Sequence, residues 1–243
     1  MSKKDSFWIP YADLMTVLMV IFLFISLAYM GLVQYKQQQQ DKIFEEYKQT
    51  KENLYNELKE TFKNDFQRWN LALDQDLSIR FTNPNVLFEP DKANIRPLFE
   101  QILNEFIPKY FNVLRQAKYQ NKIAEIRIEG HSDPSARTPT GYQNENVGYI
   151  ENLQLSQDRS LSVMDNIIRS TYYNQLPATD KKWIRFSVTA TGLSYGRTLD
   201  NEKKYSYKTG KDINFEYSRR VEFRIVTTSE LLVEKVIQQM QNK

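Results

Sequence analysis

IAEIRIEG, Ile123 to Gly130, sets Ile126 and Ile128 against Arg127 and Glu129 in alternation, the period of an extended strand with one apolar face. Gly130 closes it, and His131, Ser132 and Asp133 follow, so a histidine and a carboxylate stand at its carboxyl end. Outward from this strand the chain alternates elements. Downstream, the polar segment His131 to Asn152 has the Gly, Pro, Ser and Asn content of a long loop, and a helix is expected from about Ser156 to Tyr173. RFSVTATG (Arg185 to Gly192) and RVEFRIVT (Arg220 to Thr227) read as two further strands, and Glu230 to Met240 as a closing helix. Upstream, LSIRFT (Leu77 to Thr82) is another strand, Pro84 and Pro90 mark turns, and an amphipathic helix runs from about Arg96 to Gln116. This order predicts an α+β fold over residues 77–227, a βαβαββ-type sandwich of helices on one mixed sheet, with residues 228–243 as a C-terminal helix.

Residues 34–76 contain neither Gly nor Pro and are rich in Gln, Lys and Glu. Phe44, Tyr47, Leu54, Leu58, Phe62, Phe66, Trp69 and Leu73 recur there at helical spacings. A narrow apolar stripe on a charged helix reads as a coiled-coil seam or a helix lying on another protein surface, and the expectation taken is a helical linker paired with a second copy, with Leu54, Leu58, Phe62 and Phe66 turned inward. A solitary spacer helix is the alternative.

Leu14 to Val33 carry no charge and at helical rise match a bilayer core, so residues 14–33 are expected to span a membrane behind a short tail, residues 1–13. Lys3 and Lys4 precede the run, which places the amino terminus in the cytoplasm and the bulk of the chain in the periplasm of a Gram-negative cell. Ser26-Leu27-Ala28 leaves open a cleaved signal peptide. Asp13 stands at the cytoplasmic end of the span, where an acid either complements the helix dipole or serves as an ion site. Thr16, one turn on, either hydrogen-bonds that carboxyl or its own backbone.

Of 243 residues none is Cys and one is His, which excludes a structural zinc site, a disulfide framework and a Cys–His nucleophile pair. Neither an enzyme, a metal site nor an organic cofactor is expected. The net charge is +3 and scattered; residues 36–76 hold seven Lys+Arg against nine Asp+Glu. Direct nucleic-acid binding, which wants a concentrated basic face, is not expected.

GHSD (Gly130 to Asp133), NLQLSQDRS (Asn152 to Ser160) and SRRVEFR (Ser218 to Arg224), with LFEPDKANIRP (Leu87 to Pro97) before them, resemble in order the OmpA-like peptidoglycan-binding domain. The resemblance implies that Asp133 and Arg159 clasp the diaminopimelate of a peptide stem, with Arg220 and Asn152 beside them. A zwitterionic head does need an anion for its ammonium and a planar two-pronged cation for its carboxylate. A mutual Asp133–Arg159 salt bridge is the alternative, and strand alternation would turn Arg219 to the opposite face from Arg220. Ser160 and Ser218 depart from that family's usual Ala and Asn.

YADLMTVLM (Tyr11 to Met19) resembles the span of MotB-type stator subunits, which implies that Asp13 carries the translocated ion, a proton rather than sodium. A MotB-like span joined to an OmpA-like domain is similar to the ZorB subunits of Zorya anti-phage defence and, less closely, to flagellar MotB. The implied partners are a pentameric MotA/ZorA-like membrane protein, a second copy of the chain, peptidoglycan and the inner membrane. A wall-binding tether without a motor would need only the C-terminal domain.

Overall fold

The computed structural model describes residues 8–89, 91–135 and 145–241. Its first element, α1 (Trp8–Thr61), is one continuous helix of 54 residues. At 1.5 Å per residue it is about 80 Å long. Leu14 to Val33 are exposed along it, and the run has a mean hydropathy of 2.5, so this helix is long and apolar enough to cross a membrane.

The far end of α1 behaves differently. Leu54, Leu58 and Phe62 are completely buried, and Phe66 packs beside them at the edge of the domain core. Phe62 stacks on Phe106 with ring centroids 5.0 Å apart and meets Trp69 at 6.5 Å. The stripe expected to face a second copy is therefore spent inside its own domain. Fully burying each such side chain is favourable by about 1.5–3 kcal/mol, and the domain's own core supplies that gain without a second copy. The helix also ends at Thr61, not Asp76, and the domain begins inside it near Thr50.

Five strands make one sheet: β1 (Leu71–Leu73), β2 (Ser78–Phe81), β3 (Ile123–His131), β4 (Val188–Gly192) and β5 (Arg220–Thr227), in the order β1-β2-β5-β3-β4. Only β3 and β4 run parallel. β1 was expected to be linker helix. Asn70 and Leu77 adopt positive φ, and Asp74 N–H bonds Ser78 O, so the Asp74-Gln75-Asp76 segment turns the chain into a hairpin that pairs Leu71 with Phe81. The longer helices after α1 are α2 (Pro97–Leu114), α3 (Glu145–Arg169), α4 (Ala178–Ser187) and α5 (Thr228–Gln241), with helices of four or five residues between them.

α2 opens on Pro97, whose missing N–H is harmless at a first helical position, and buries Phe99, Leu103, Phe106 and Tyr110 at helical spacing. α3 begins at Glu145, well before the expected Ser156, so the latter part of the expected loop is helical; residues 136–144 of that loop lie outside the described residues. The strand expected from Arg185 starts only at Val188, because Pro177 launches α4 and Ile184 carries its helical face into the core. α5 packs against α1, tying the closing helix to the linker helix.

The two faces of the sheet differ. Ile79, Phe81, Ile126, Ile128, Val221, Phe223 and Ile225 form the side that belongs to the hydrophobic core. Their alternation partners Arg80, Glu129, His131, Arg220 and Glu222 are buried too, on the side where Arg197 and the Lys203 carbonyl reach Glu129 and Arg80.

Candidate functional site: an arginine-lined pocket at the strand ends

A cavity of about 270 Å³ opens where β3 ends and β5 begins. Phe88, Arg96, Asp133, Arg159, Arg219 and Arg220 line it, with His131 among the residues at its floor. Close packing of α3 on the sheet sets its dimensions. A Cβ on Gly130 would lie 2.1 Å from the Ser156 carbonyl oxygen, and one on Gly192 would lie 2.3 Å from the Gln157 nitrogen. Gln157 accepts from Gly192 N–H at 2.7 Å, and Ser156 Oγ accepts from Ser194 N–H at 2.9 Å. One turn along the same helix, Arg159 is thereby held over the end of β3.

Asp133 is fully covered. Its Oδ1 accepts from the Ser135 backbone N–H at 2.7 Å and from the Ser135 hydroxyl, and its Oδ2 accepts from Arg219 Nη1 at 3.0 Å. Arg159 donates through Nε to the Lys92 carbonyl at 3.0 Å and lies over the Phe88 ring at 5.2 Å. Arg96 donates to the Asn85 carbonyl at 2.7 Å. The segment Leu87 to Pro97 thus supplies an aromatic platform and, at Lys92, a carbonyl anchor for Arg159, roles that its sequence alone did not assign.

Arg220 is the floor cation. Its Nε donates to Glu222 Oε1 and its Nη1 to the Ser218 carbonyl at 3.2 Å, while its buried Nη2 has no hydrogen-bond partner. Opposite it in the β3–β5 register stands His131, whose Nε2 is 3.6 Å from Glu129 and 3.9 Å from Glu222. Burial, reinforced by Arg220, pushes the imidazole below its usual pKa and keeps it neutral at pH 7. Burial by itself raises Glu222, but Arg220 above all, with Arg80, outweighs it and holds that carboxyl well below the usual range. Glu129, also raised by burial, is lowered on balance, first by the His131 ring it faces and then by Arg197, which pairs with it at 3.2 Å. Glu129, His131 and Glu222 bring ligand-type atoms within 4.8 Å of one another, but both carboxylates are already engaged by guanidinium groups.

Of the expected site residues, Asp133, Arg159 and Arg220 converge on the cavity. Asn152 does not line it: the side chain is buried on α3 and donates to the Gly148 carbonyl at 2.9 Å, one turn back. Arg219 is a correction. It points into the same cavity as Arg220, because it sits at the end of the one-turn helix Phe215–Ser218, before β5 begins, where strand alternation does not operate. Among the described residues the ion pair of Asp133 is therefore with Arg219 and not with Arg159. The doubled arginine in SRRVEFR was the signal for it.

Asp13 and Thr16 lie on α1, exposed on one face at a spacing of three. The Thr16 hydroxyl donates to the Ala12 carbonyl at 2.8 Å, the backbone alternative of the two expected for it.

No family model matches the chain. A curated Zorya protein ZorB from Escherichia coli strain Crooks is 35% identical over 241 residues, 98% of this chain and 96% of that protein. A ZorB from a second Escherichia coli strain is 25% identical over 225 residues, covering 91% and 80% of the two chains. Among solved structures, a MotB-like protein from Desulfovibrio vulgaris aligns with a TM-score of 0.47 at 20% identity, over 77% of this chain and 98% of that one. The periplasmic domain of Helicobacter pylori MotB aligns with a TM-score of 0.40 at 16% identity, over 68% and 84%. With more than a third of its residues shared over nearly its whole length with a curated ZorB, the chain belongs to the ZorB family of Zorya proteins.

Proposed function

We propose that this chain is the wall-anchored, ion-conducting subunit of a rotary membrane motor acting in Zorya anti-phage defence, and not an enzyme. The observation that carries the reading is one continuous helix with an apolar, membrane-length stretch bearing Asp13 at one end and a charged pocket domain folded onto its other end. Two copies would sit within a pentameric ZorA-like channel in the inner membrane, amino termini cytoplasmic, with their domains on peptidoglycan in the periplasm.

Asp13 is the proton carrier. Desolvation disfavours its charged form, so protonation frees it to move against an apolar wall and deprotonation resets it. Each charge that crosses releases about 2.3 kcal/mol per 100 mV of membrane potential. A proton is favoured over sodium because, among the described residues, Thr16 is the one further side-chain oxygen a turn from Asp13, fewer than a sodium shell needs. In the periplasm, Asp133 receives the ammonium and Arg159 and Arg220 the carboxylate of the diaminopimelate in a peptide stem.

The test is Asp13→Asn in cells carrying the partner genes, with proton flux and phage protection as readouts. Loss of both with the complex still assembled supports the reading; protection at the wild-type level overturns it. For the pocket, Asp133→Ala and Arg159→Ala should each weaken sedimentation with purified sacculi by about 1.5–3 kcal/mol. Unchanged sedimentation of both variants overturns the wall-binding half.

A further inference from the structure

The carboxylate that would hold the ligand's ammonium is already occupied. Asp133 is completely buried, with Oδ1 taken by Ser135 and Oδ2 by Arg219. An incoming ammonium reaches Asp133 only by displacing one of them. Ser135 is held by its own backbone two residues on, whereas the Arg219 side chain is 36% exposed at the cavity wall and has this as its one ion pair among the described residues. Arg219 is therefore the group that can leave.

We propose that Arg219 is a built-in competitor of the ligand ammonium, a latch that makes the pocket bind diamino-acid stems only by exchange. The inference rests on the peptidoglycan reading above and adds to it a residue that sets affinity downward. A buried carboxylate must keep a positive partner, because an uncompensated charge in that environment is costly. Exchanging guanidinium for ammonium keeps the charge balance at Asp133 constant, and the released guanidinium, already 36% exposed, turns out to solvent. A ligand with a carboxylate and no ammonium cannot complete the exchange. The latch thus selects for the zwitterion, at the expense of affinity.

The experiment titrates the full-length protein in detergent with meso-diaminopimelate and, separately, with pimelate, the same carbon chain without ammonium groups. Arg219→Gln should bind meso-diaminopimelate tighter, on the order of tenfold, the scale of one charge-assisted hydrogen bond no longer broken. Pimelate should gain nothing. Arg219→Lys, which restores a cation beside Asp133, should stay near wild type, and thermal midpoints of both variants should report folded protein. Weaker or unchanged binding of meso-diaminopimelate by a folded Arg219→Gln overturns the latch while leaving the wall-binding reading intact, as does an equal gain for pimelate. Failure of the wild type and both variants to bind either meso-diaminopimelate or sacculi overturns both.

Discussion

The Ser156 carbonyl oxygen stands where a side chain on Gly130 would have to be: a Cβ there would approach it to 2.1 Å. The relationship brings α3 down onto β3, and through α3 it sets how far Arg159 stands from Asp133. Space is the reason for the glycine, since its φ is not in the left-handed region.

Gly130→Ala should therefore act on both stability and the pocket. The neighbour is backbone and cannot rotate away, so the helix must shift, at about 1–3 kcal/mol or more. For a protein of this size that is a fall in thermal midpoint of roughly 3–10 °C. Retention on sacculi should drop alongside it. A variant with an unchanged midpoint would show that α3 yields without cost.

Leu58→Ala tests where the linker stripe goes. Leu58 is wholly buried within its own domain, so the truncation should cost about 2–5 kcal/mol and lower the thermal midpoint of the protein in detergent. Leu58→Cys, in a chain that has no other cysteine, should stay unreactive to a thiol reagent until the protein unfolds. Rapid labelling of the native protein, or oxidative crosslinking between two copies at this position, would return Leu58 to an intermolecular seam.

The neutral buried His131 makes stability depend on pH in a defined direction. Its folded pKa lies below the ordinary imidazole value of about 6.5, so the unfolded chain binds a proton more readily. The stabilisation is fully present above about pH 6.5 and is lost as pH falls, with a slope of up to about 1.4 kcal/mol per pH unit. Glu129 and Glu222 face the imidazole, Arg220 lies beside it, and Arg197 closes over Glu129. The two carboxyls are lowered, so their contribution has the same sign but is lost only below about pH 4.5, where unfolded carboxylates begin to protonate. Thermal midpoints measured from pH 7.5 to 5 should fall for wild type, and His131→Asn should flatten that range while keeping the steeper fall below it. An unchanged slope in the variant would assign the effect elsewhere.

Glu222→Gln should be more damaging than its size suggests. It leaves the buried Arg220 guanidinium, which already has one unbonded nitrogen, without its anion, and breaking a buried pair from one side costs about 3–5 kcal/mol. Replacing Glu222 by Gln and Arg220 by Met together should recover part of that loss. A single variant as stable as wild type would show that the pair is not needed to balance the outer face of the sheet.

What the sequence determined by itself is whatever repeats along the chain with a local period. The uncharged run from Leu14 to Val33, the strands around Ile126, Ile79 and Phe223, and the helix carrying Phe99 to Tyr110 were all legible, because alternation and helical spacing record which face is buried. The ordered motifs likewise marked Asp133, Arg159 and Arg220 before any contact was known. Tertiary structure alone decided what the periodic faces meet. A stripe such as Leu54, Leu58 and Phe62 has the same spacing whether it packs on a second copy or on Phe106 of its own chain, and only the fold distinguishes the two. Asp133 could likewise pair with any nearby guanidinium; that it pairs with Arg219 follows from where a one-turn helix stops and β5 starts. Partner choice depends on the meeting of segments distant in sequence, and local periodicity carries no record of it.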